Sequence, residues 1–111
     1  MKMSQFSFLE LPSAPLNLIR IKSTNTSITI RWSKPKKTGH ASIGHYWIEK
    51  DNPTIRRNGF KHIVAKNLTI YEHTLHNLKP DTKYDVYVSA YTKVGLGPEA
   101  TKSFGTDPSP G

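Results

Sequence analysis

Cysteine is absent from the 111 residues. This excludes a disulfide framework, a thiolate metal site and a thiol nucleophile. It leaves the redox compartment open, because a domain with its own apolar core is stable on either side of a membrane. No apolar run approaches the roughly 20 residues that a membrane helix needs, and no hydrophobic stretch follows Met1-Lys2-Met3 as a secretory leader requires. The chain therefore reads as an excised domain or a cytosolic protein, and the rest of the sequence favours excision. Helical periodicity with caps is also missing. Acidic residues are scarce, 8 against 16 basic ones, giving a net charge of +8 and a pI near 9.8.

What is present is punctuated, short-period apolar patterning. Eight prolines and seven glycines space out β-branched and aromatic runs. The clearest unit is Leu78-Lys79-Pro80-Asp81-Thr82-Lys83-Tyr84 followed by Asp85-Val86-Tyr87-Val88-Ser89-Ala90. A turn signal at Pro80-Asp81 lies between an incoming apolar residue and a strictly alternating strand. Tyr84, Val86, Val88 and Ala90 take one face; Lys83, Asp85, Tyr87 and Ser89 take the other. A tyrosine at the first inward position can return its hydroxyl to the preceding corner, the device by which β-sandwiches hold a chain crossing between sheets. At this length one domain is expected, burying roughly 60–70% of the surface of its unfolded chain.

In chain order, residues 1–11 read as a linker or expression remnant, with Pro12 and Pro15 suited to an edge position. Residues 16–21 form a first strand whose alternation is irregular: Leu16 and Leu18 share one face, Ile19 and Ile21 the other, and a bulge would reconcile them. Ser27-Ile28-Thr29-Ile30-Arg31-Trp32-Ser33 alternates cleanly, sending Ile28, Ile30 and Trp32 inward. Residues 34–39 are a loop. In the next strand Tyr46 and Ile48 face the core, while His45, Trp47 and Glu49 face out. Asp51-Asn52-Pro53 turns the chain, Asn58-Gly59 is a hairpin signal, and residues 60–65 form a short strand. Residues 68–77 form another, with Tyr71, His73 and Leu75 on one side. Residues 94–98 read as a loop and 100–106 as the last strand.

Seven short strands at this spacing predict an all-β fold, a seven-stranded immunoglobulin-like β-sandwich. The ordered set of Pro12, Pro15-Leu16-Asn17-Leu18, Ile28-Thr29-Ile30-Arg31-Trp32, Pro35, Ile43-Gly44-His45-Tyr46-Trp47-Ile48, the Leu78–Tyr84 corner, Gly95-Leu96-Gly97-Pro98 and Thr106 resembles a fibronectin type III domain over residues 12–107, leaving 108–111 as a linker. His73 departs from the pattern, since that family usually has an apolar or aromatic residue at this inward position. The resemblance implies that strands one, two and five form one sheet and strands four, three, six and seven the other. It also implies structural roles for Trp32, Tyr46, Leu78, Pro80 and Tyr84. In a sandwich of this topology the loops after strands two, four and six share one end.

Catalysis finds no support. No carboxylates are paired by spacing, no glycine-flanked nucleophile turn is visible, and Gly95-Leu96-Gly97 leads into Pro98 rather than a helix, so no phosphate-cradling loop exists. His73 and His76 do not share a strand face, and no cofactor or metal is expected. The chain reads as a non-enzyme. Its positive charge favours polyanionic partners. Under the implied topology Lys34, Lys36, Lys37, His40, Lys66 and Lys93 gather at one end, with no acidic residue nearer than Glu99. At the other end Lys50, Arg56, Arg57, Lys61 and Lys79 are interspersed with Asp51 and Asp81. The first end is thus the candidate site for a heparan-sulfate-like, sulfated glycan, against the alternative that loop lysines are ordinary solvated surface.

Outward aromatics give a second candidate. Trp47, Tyr87 and Tyr91 fall on neighbouring strands, a composition suited to a protein contact, or else they are covered by a neighbouring domain or by residues 52–60. Nothing resembles a nucleic-acid-binding module. Asn25-Thr26-Ser27 and Asn67-Leu68-Thr69 are N-glycosylation sequons; a glycan on Asn67 would crowd the basic end. An Arg-Gly-Asp loop and a Trp-Ser-x-Trp-Ser motif are both missing. The expectation is a domain of an extracellular receptor or adhesion protein, of the kind that receptor phosphatases, receptor kinases and neural adhesion molecules use in tandem. Such a domain spaces its neighbours in the chain and offers a surface to a protein or glycan. The alternative is a structural domain of an intracellular, cytoplasmic muscle or cytoskeletal protein.

Overall fold

The computed structural model describes residues 9–52, 55–64 and 66–110, with side chains described for all of these except 52, 55–62 and 64. Seven strands follow one another: β1 (Leu16–Ser23), β2 (Ile28–Ser33), β3 (His45–Asn52), β4 (Ile55–Val64), β5 (Ile70–Leu75), β6 (Lys83–Thr92) and β7 (Gly95–Gly105). They form a three-stranded sheet ordered β1-β2-β5 and a four-stranded sheet ordered β4-β3-β6-β7. Every pairing is antiparallel. This is the sandwich and the sheet composition expected from the sequence.

The core is built by period-two alternation. Ile28, Ile30 and Trp32 from β2 meet Tyr46 and Ile48 from β3 and Tyr84, Val86, Val88 and Ala90 from β6, all buried. Tyr71 and Leu75 from β5, Phe104 from β7 and Leu78 complete it. His73 pairs with Ile30 and is half-buried. Trp32, Tyr46 and Tyr71 form an aromatic trio. Trp32 stacks on Tyr71 with ring centroids 6.0 Å apart and meets Tyr46 edge-on at 5.4 Å. Tyr46 and Tyr71 lie 4.6 Å apart. Such pairs are worth about 0.5–1.5 kcal/mol each beyond their buried area.

The corner before β6 is closed by hydrogen bonds. The Lys79 amide donates to the Tyr84 hydroxyl at 2.8 Å. The Thr106 hydroxyl donates to the Lys79 carbonyl at 2.6 Å and accepts from the Thr82 amide at 3.0 Å. Asp81 takes a left-handed backbone, φ 49°, and its amide reaches the Asp107 carbonyl at 2.9 Å. The Leu78 amide reaches the Thr26 carbonyl at the β1–β2 turn, also at 2.9 Å.

Two local expectations are corrected. Asn58-Gly59 is not a hairpin turn but lies inside β4, with Asn58 opposite Lys50. The strands are instead joined where Asn52 faces Ile55, and the register slips on both sides of Lys50, so the glycine serves a bulge. Residues 95–98 are strand, not loop. β6 and β7 pair down to Thr92 opposite Gly95, and Pro98 falls on an edge strand at a register shift where its missing N–H is tolerated. On β1 the expected irregularity is present: register shifts leave Leu18 as the buried anchor, while Leu16, Ile19 and Ile21 remain exposed.

The segment before β1 docks onto the fold. The Glu10 amide donates to the Gly39 carbonyl at 3.1 Å, the Ser13 amide to the Lys37 carbonyl at 2.9 Å, and Pro12 is buried. Gly39 and Gly97 have no alternative there. A β-carbon on Gly39, whose φ is +76°, would stand 1.9 Å from the Glu10 carbonyl oxygen, and one on Gly97 would stand 2.3 Å from that of Pro12. The chain thus enters at the end carrying the β2–β3 loop (34–44). It leaves at the opposite end, where the Asp107 amide donates to the Thr24 carbonyl.

Candidate functional site

The end of the sandwich that carries the β2–β3 loop, the β4–β5 connection and the β6–β7 turn carries the five lysines and the histidine expected there, though not in one cluster. Lys34, His40 and Lys66 line a recess of about 670 Å³. Its two walls come from the β2–β3 loop and the β4–β5 connection. They are tied at the base, where the Lys34 amide donates to the Thr69 carbonyl at 3.0 Å. The Leu68 amide donates to the Tyr71 hydroxyl at 2.9 Å. Lys93 lines a second hollow of about 550 Å³ that shares His40 with the first. Lys36 and Lys37 line neither and are exposed on the loop, where the Lys37 backbone is fastened to Ser13.

One expectation about this end is corrected. Glu10, not Glu99, is the acidic residue fastened to the loop, because the segment before β1 docks at Gly39. Among the described residues, however, no aspartate or glutamate lines either hollow. Acidic groups concentrate elsewhere. Glu49 and Asp51 on β3, Asp85 on β6 and Glu99 on β7 share the outer face of the four-stranded sheet by register. At the opposite end, the side chains of Arg56, Arg57 and Lys61 lie outside the described residues.

The floor of the recess holds what the sequence did not reveal. Tyr46 lines it, yet its side chain is buried and its hydroxyl has no hydrogen-bond partner among the described residues. The same is true of the Trp32 indole N–H beside it. Burial, and then the neighbouring Tyr71, hold the Tyr46 hydroxyl protonated far above the ordinary tyrosine range. The Tyr71 hydroxyl, which accepts from the Leu68 amide, stands close by and helps raise Tyr46 without meeting hydrogen-bond geometry to it. Tyr46 is thus a buried donor without an acceptor among the described residues, lining the same recess as Lys34 and Lys66. Asn67, one of the two sequon asparagines, is exposed on the rim in a left-handed conformation, φ 58°. Asn25 lies half-buried in the β1–β2 turn.

The second candidate surface is also partly assembled. His45, Trp47, Tyr91 and Leu96 line an apolar groove of about 250 Å³ on the outer face of the four-stranded sheet. His45 opposes Tyr91, which opposes Leu96, and the His45 and Tyr91 rings are 6.3 Å apart. Trp47 is half-buried beside Ser89. Tyr87 is two positions along β6 from Ser89, and its hydroxyl donates to Asp51 at 2.9 Å, so it does not join the groove. Leu96 was hidden from sequence reading by its assignment to a loop.

Among the described residues no group of three or more histidine, aspartate or glutamate side chains stands where it could hold a metal ion. Among them, too, no helix is long and apolar enough to cross a membrane.

Comparison with known proteins follows the same outline. A family model described as the Fibronectin type III domain matches residues 13–106. A putative receptor-type tyrosine-protein phosphatase, mosPTP-1 of Aedes aegypti, is 37% identical over 99 residues, covering 87% of this chain and 8% of that protein. Titin of Drosophila melanogaster is 33% identical over 93 residues, covering 83% of this chain and, to the nearest per cent, 0% of that protein. The chain therefore spans less than a tenth of either relative. The fn3 domain of human collagen alpha-1(XX) superposes with a TM-score of 0.69 at 25% identity, covering 92% of this chain and 91% of that one.

Proposed function

The chain belongs to the fibronectin type III family, whose domain is a non-catalytic module, and from that premise we propose that it is a spacing and binding unit of an extracellular receptor or adhesion protein. It enters at one end of the sandwich and leaves at the other, a geometry that sets tandem neighbours in line. Its basic end takes a sulfated glycan of the heparan-sulfate class. The observation carrying this reading is the separation of charge. Lys34, Lys66 and Lys93 line two hollows that hold no carboxylate among the described residues, while four acidic side chains share the outer face of the four-stranded sheet. A polyanion approaching the basic end meets focused positive potential. The likeness to receptor-type phosphatases supports the extracellular setting.

A second reading has its own support. Titin, at 33% identity, and myosin-binding protein H, at 30%, are also relatives, which favours a structural unit of an intracellular muscle or cytoskeletal protein. Glycosylation of Asn25 or Asn67 in secreted material would exclude it.

The decisive comparison is elution by salt from heparin and from a sulfonate cation exchanger. The expected result is later elution from heparin, lost on charge reversal at Lys34, Lys36 and Lys37 but not at Arg56 and Arg57. Equal elution from both matrices means generic positive charge and overturns the glycan reading. Retention weakens as salt rises, because exposed charges are screened within about 8–10 Å at moderate ionic strength.

A further inference from the structure

We propose that the recess between the β2–β3 loop and the β4–β5 connection is a pocket for one sulfo group of the glycan, with the buried Tyr46 hydroxyl as a direct donor at its floor. This rests on the glycan reading above and assigns it a specific seat. Three observations point there independently of total charge.

First, the described charged and polar side chains lining the recess include no carboxylate. Lys34 and Lys66 are full cations, and Asn67 and Tyr46 add neutral N–H and O–H donors. A site with cations and no fixed anion is matched by an acceptor-rich, negatively charged group. Second, the Tyr46 hydroxyl is an unpartnered polar atom beneath that lining, in a side chain with no exposed surface. Leaving a buried donor unsatisfied is costly, and native folds rarely do so without a use. Third, Ala41 and Ile43 on one wall and Leu68 on the other add apolar surface to the recess. A sugar ring presents C–H faces beside its charged substituents, so the apolar side chains receive the ring while Lys34, Lys66 and Tyr46 receive the sulfo oxygens. The volume, about 670 Å³, is within the range of ligand pockets.

Exposed Lys36 and Lys37 act differently. Standing outside the recess, they attract the polyanion at long range and confer no shape selection. The two groups of lysines are therefore separable by experiment, although they are close in sequence.

The test uses a heparin-derived sulfated octasaccharide, its chemically desulfated counterpart and a polyglutamate peptide. These are titrated into the wild-type domain and into Tyr46→Phe, Lys34→Gln/Lys66→Gln and Lys36→Gln/Lys37→Gln variants. Affinity is read by calorimetry at several salt concentrations, and the contact surface by amide chemical shifts. Tyr46→Phe is expected to lose roughly tenfold in octasaccharide affinity, as one hydrogen bond to a charged group predicts. Its salt slope should match the wild type, because no ion contact is lost, and its melting temperature should be equal or higher. Lys34→Gln/Lys66→Gln should flatten the salt slope by about 2. The wild-type shifts should centre on Ile43, Asn67 and Leu68, and the desulfated glycan should bind far more weakly.

Several results overturn the proposal. Unchanged affinity in Tyr46→Phe would mean that the hydroxyl serves only a buried water. Shifts centred on Lys36 and Lys37 would put the ligand on the loop. Equal, Tyr46-dependent binding of polyglutamate would assign the pocket to an acidic protein segment. If heparin still outlasts the sulfonate matrix while Tyr46→Phe is silent, the pocket fails and the glycan reading survives. If the two matrices never differ, both fall.

Discussion

The two ends of the sandwich solve the same problem, how to finish a pair of packed sheets, in opposite ways. At the corner end, the polar groups beneath the surface find partners. Tyr84 receives the Lys79 amide, Thr106 bridges the Lys79 carbonyl and the Thr82 amide, and Asp81 and Leu78 reach across to Asp107 and Thr26. At the basic end, the Tyr46 hydroxyl and the Trp32 indole N–H are buried without partners among the described residues, and Tyr46 lines the recess that Lys34 and Lys66 flank. Hydrogen-bond closure at one end contributes stability and fixes the chain's course. Incomplete closure at the other leaves donors that a ligand or a water could engage. Tyrosines do both jobs, and what separates them is whether the fold supplies a partner.

That contrast can be broken or sharpened by substitution. The largest effect is expected at Trp32, whose ring joins the trio beneath the recess to the common core. Trp32→Ala should destabilise the domain by about 3–5 kcal/mol in urea unfolding, through lost burial and the cavity left behind. A loss below 1 kcal/mol would mean that the trio is not part of the cooperative core.

An intermediate effect is expected at the corner. Tyr84→Phe leaves the Lys79 amide without its acceptor and should cost about 1–3 kcal/mol. The smallest effect on stability is expected at Tyr46→Phe, which deletes a hydroxyl that has nothing to lose. The midpoint should stay or rise, so Tyr84→Phe and Tyr46→Phe, the same chemical change at opposite ends, should move in different directions. Equal destabilisation would erase the distinction between the ends.

Alkaline pH separates them further. The folded state holds the Tyr46 hydroxyl protonated above its ordinary range. The stability this contributes is fully present below about pH 10, where the unfolded tyrosine is neutral, and is lost as pH rises beyond it. Unfolding measured at pH 7 and pH 11 should show wild type losing more stability than Tyr46→Phe over that interval; parallel losses would place the titration elsewhere.

The legibility of the two ends also differed. The corner was readable because its parts are contiguous. Leu78, Pro80 and Tyr84 lie within one turn and the start of one strand, and local spacing defines their geometry. The core was readable for a related reason. Ile28, Ile30 and Trp32, then Tyr46 and Ile48, then Tyr84, Val86, Val88 and Ala90 follow a two-residue period, and a strand sends alternate side chains to opposite faces whatever its partners. Reading failed where local signals competed with pairing. Asn58-Gly59 is a good turn dipeptide, but the β3 register draws it into a strand. Gly95-Leu96-Gly97-Pro98 looks like a loop, but an edge strand needs no N–H on its open side.

Residue order alone therefore dictated the class of fold, the inward faces of the main strands, the corner and the surplus of positive charge. It carried the cations of the basic end only as a list. Lys34 and Lys66 are 32 positions apart in the chain and meet across a recess because β2 pairs with β5, which brings the Lys34 amide to the Thr69 carbonyl. Glu10 reaches the same end because Gly39 leaves room for its backbone. Whether the Tyr46 hydroxyl has a partner depends on where β5 carries Tyr71. Strand faces follow from the local geometry of a single extended chain, whereas a pocket depends on distances between segments that only the paired and packed sheets set.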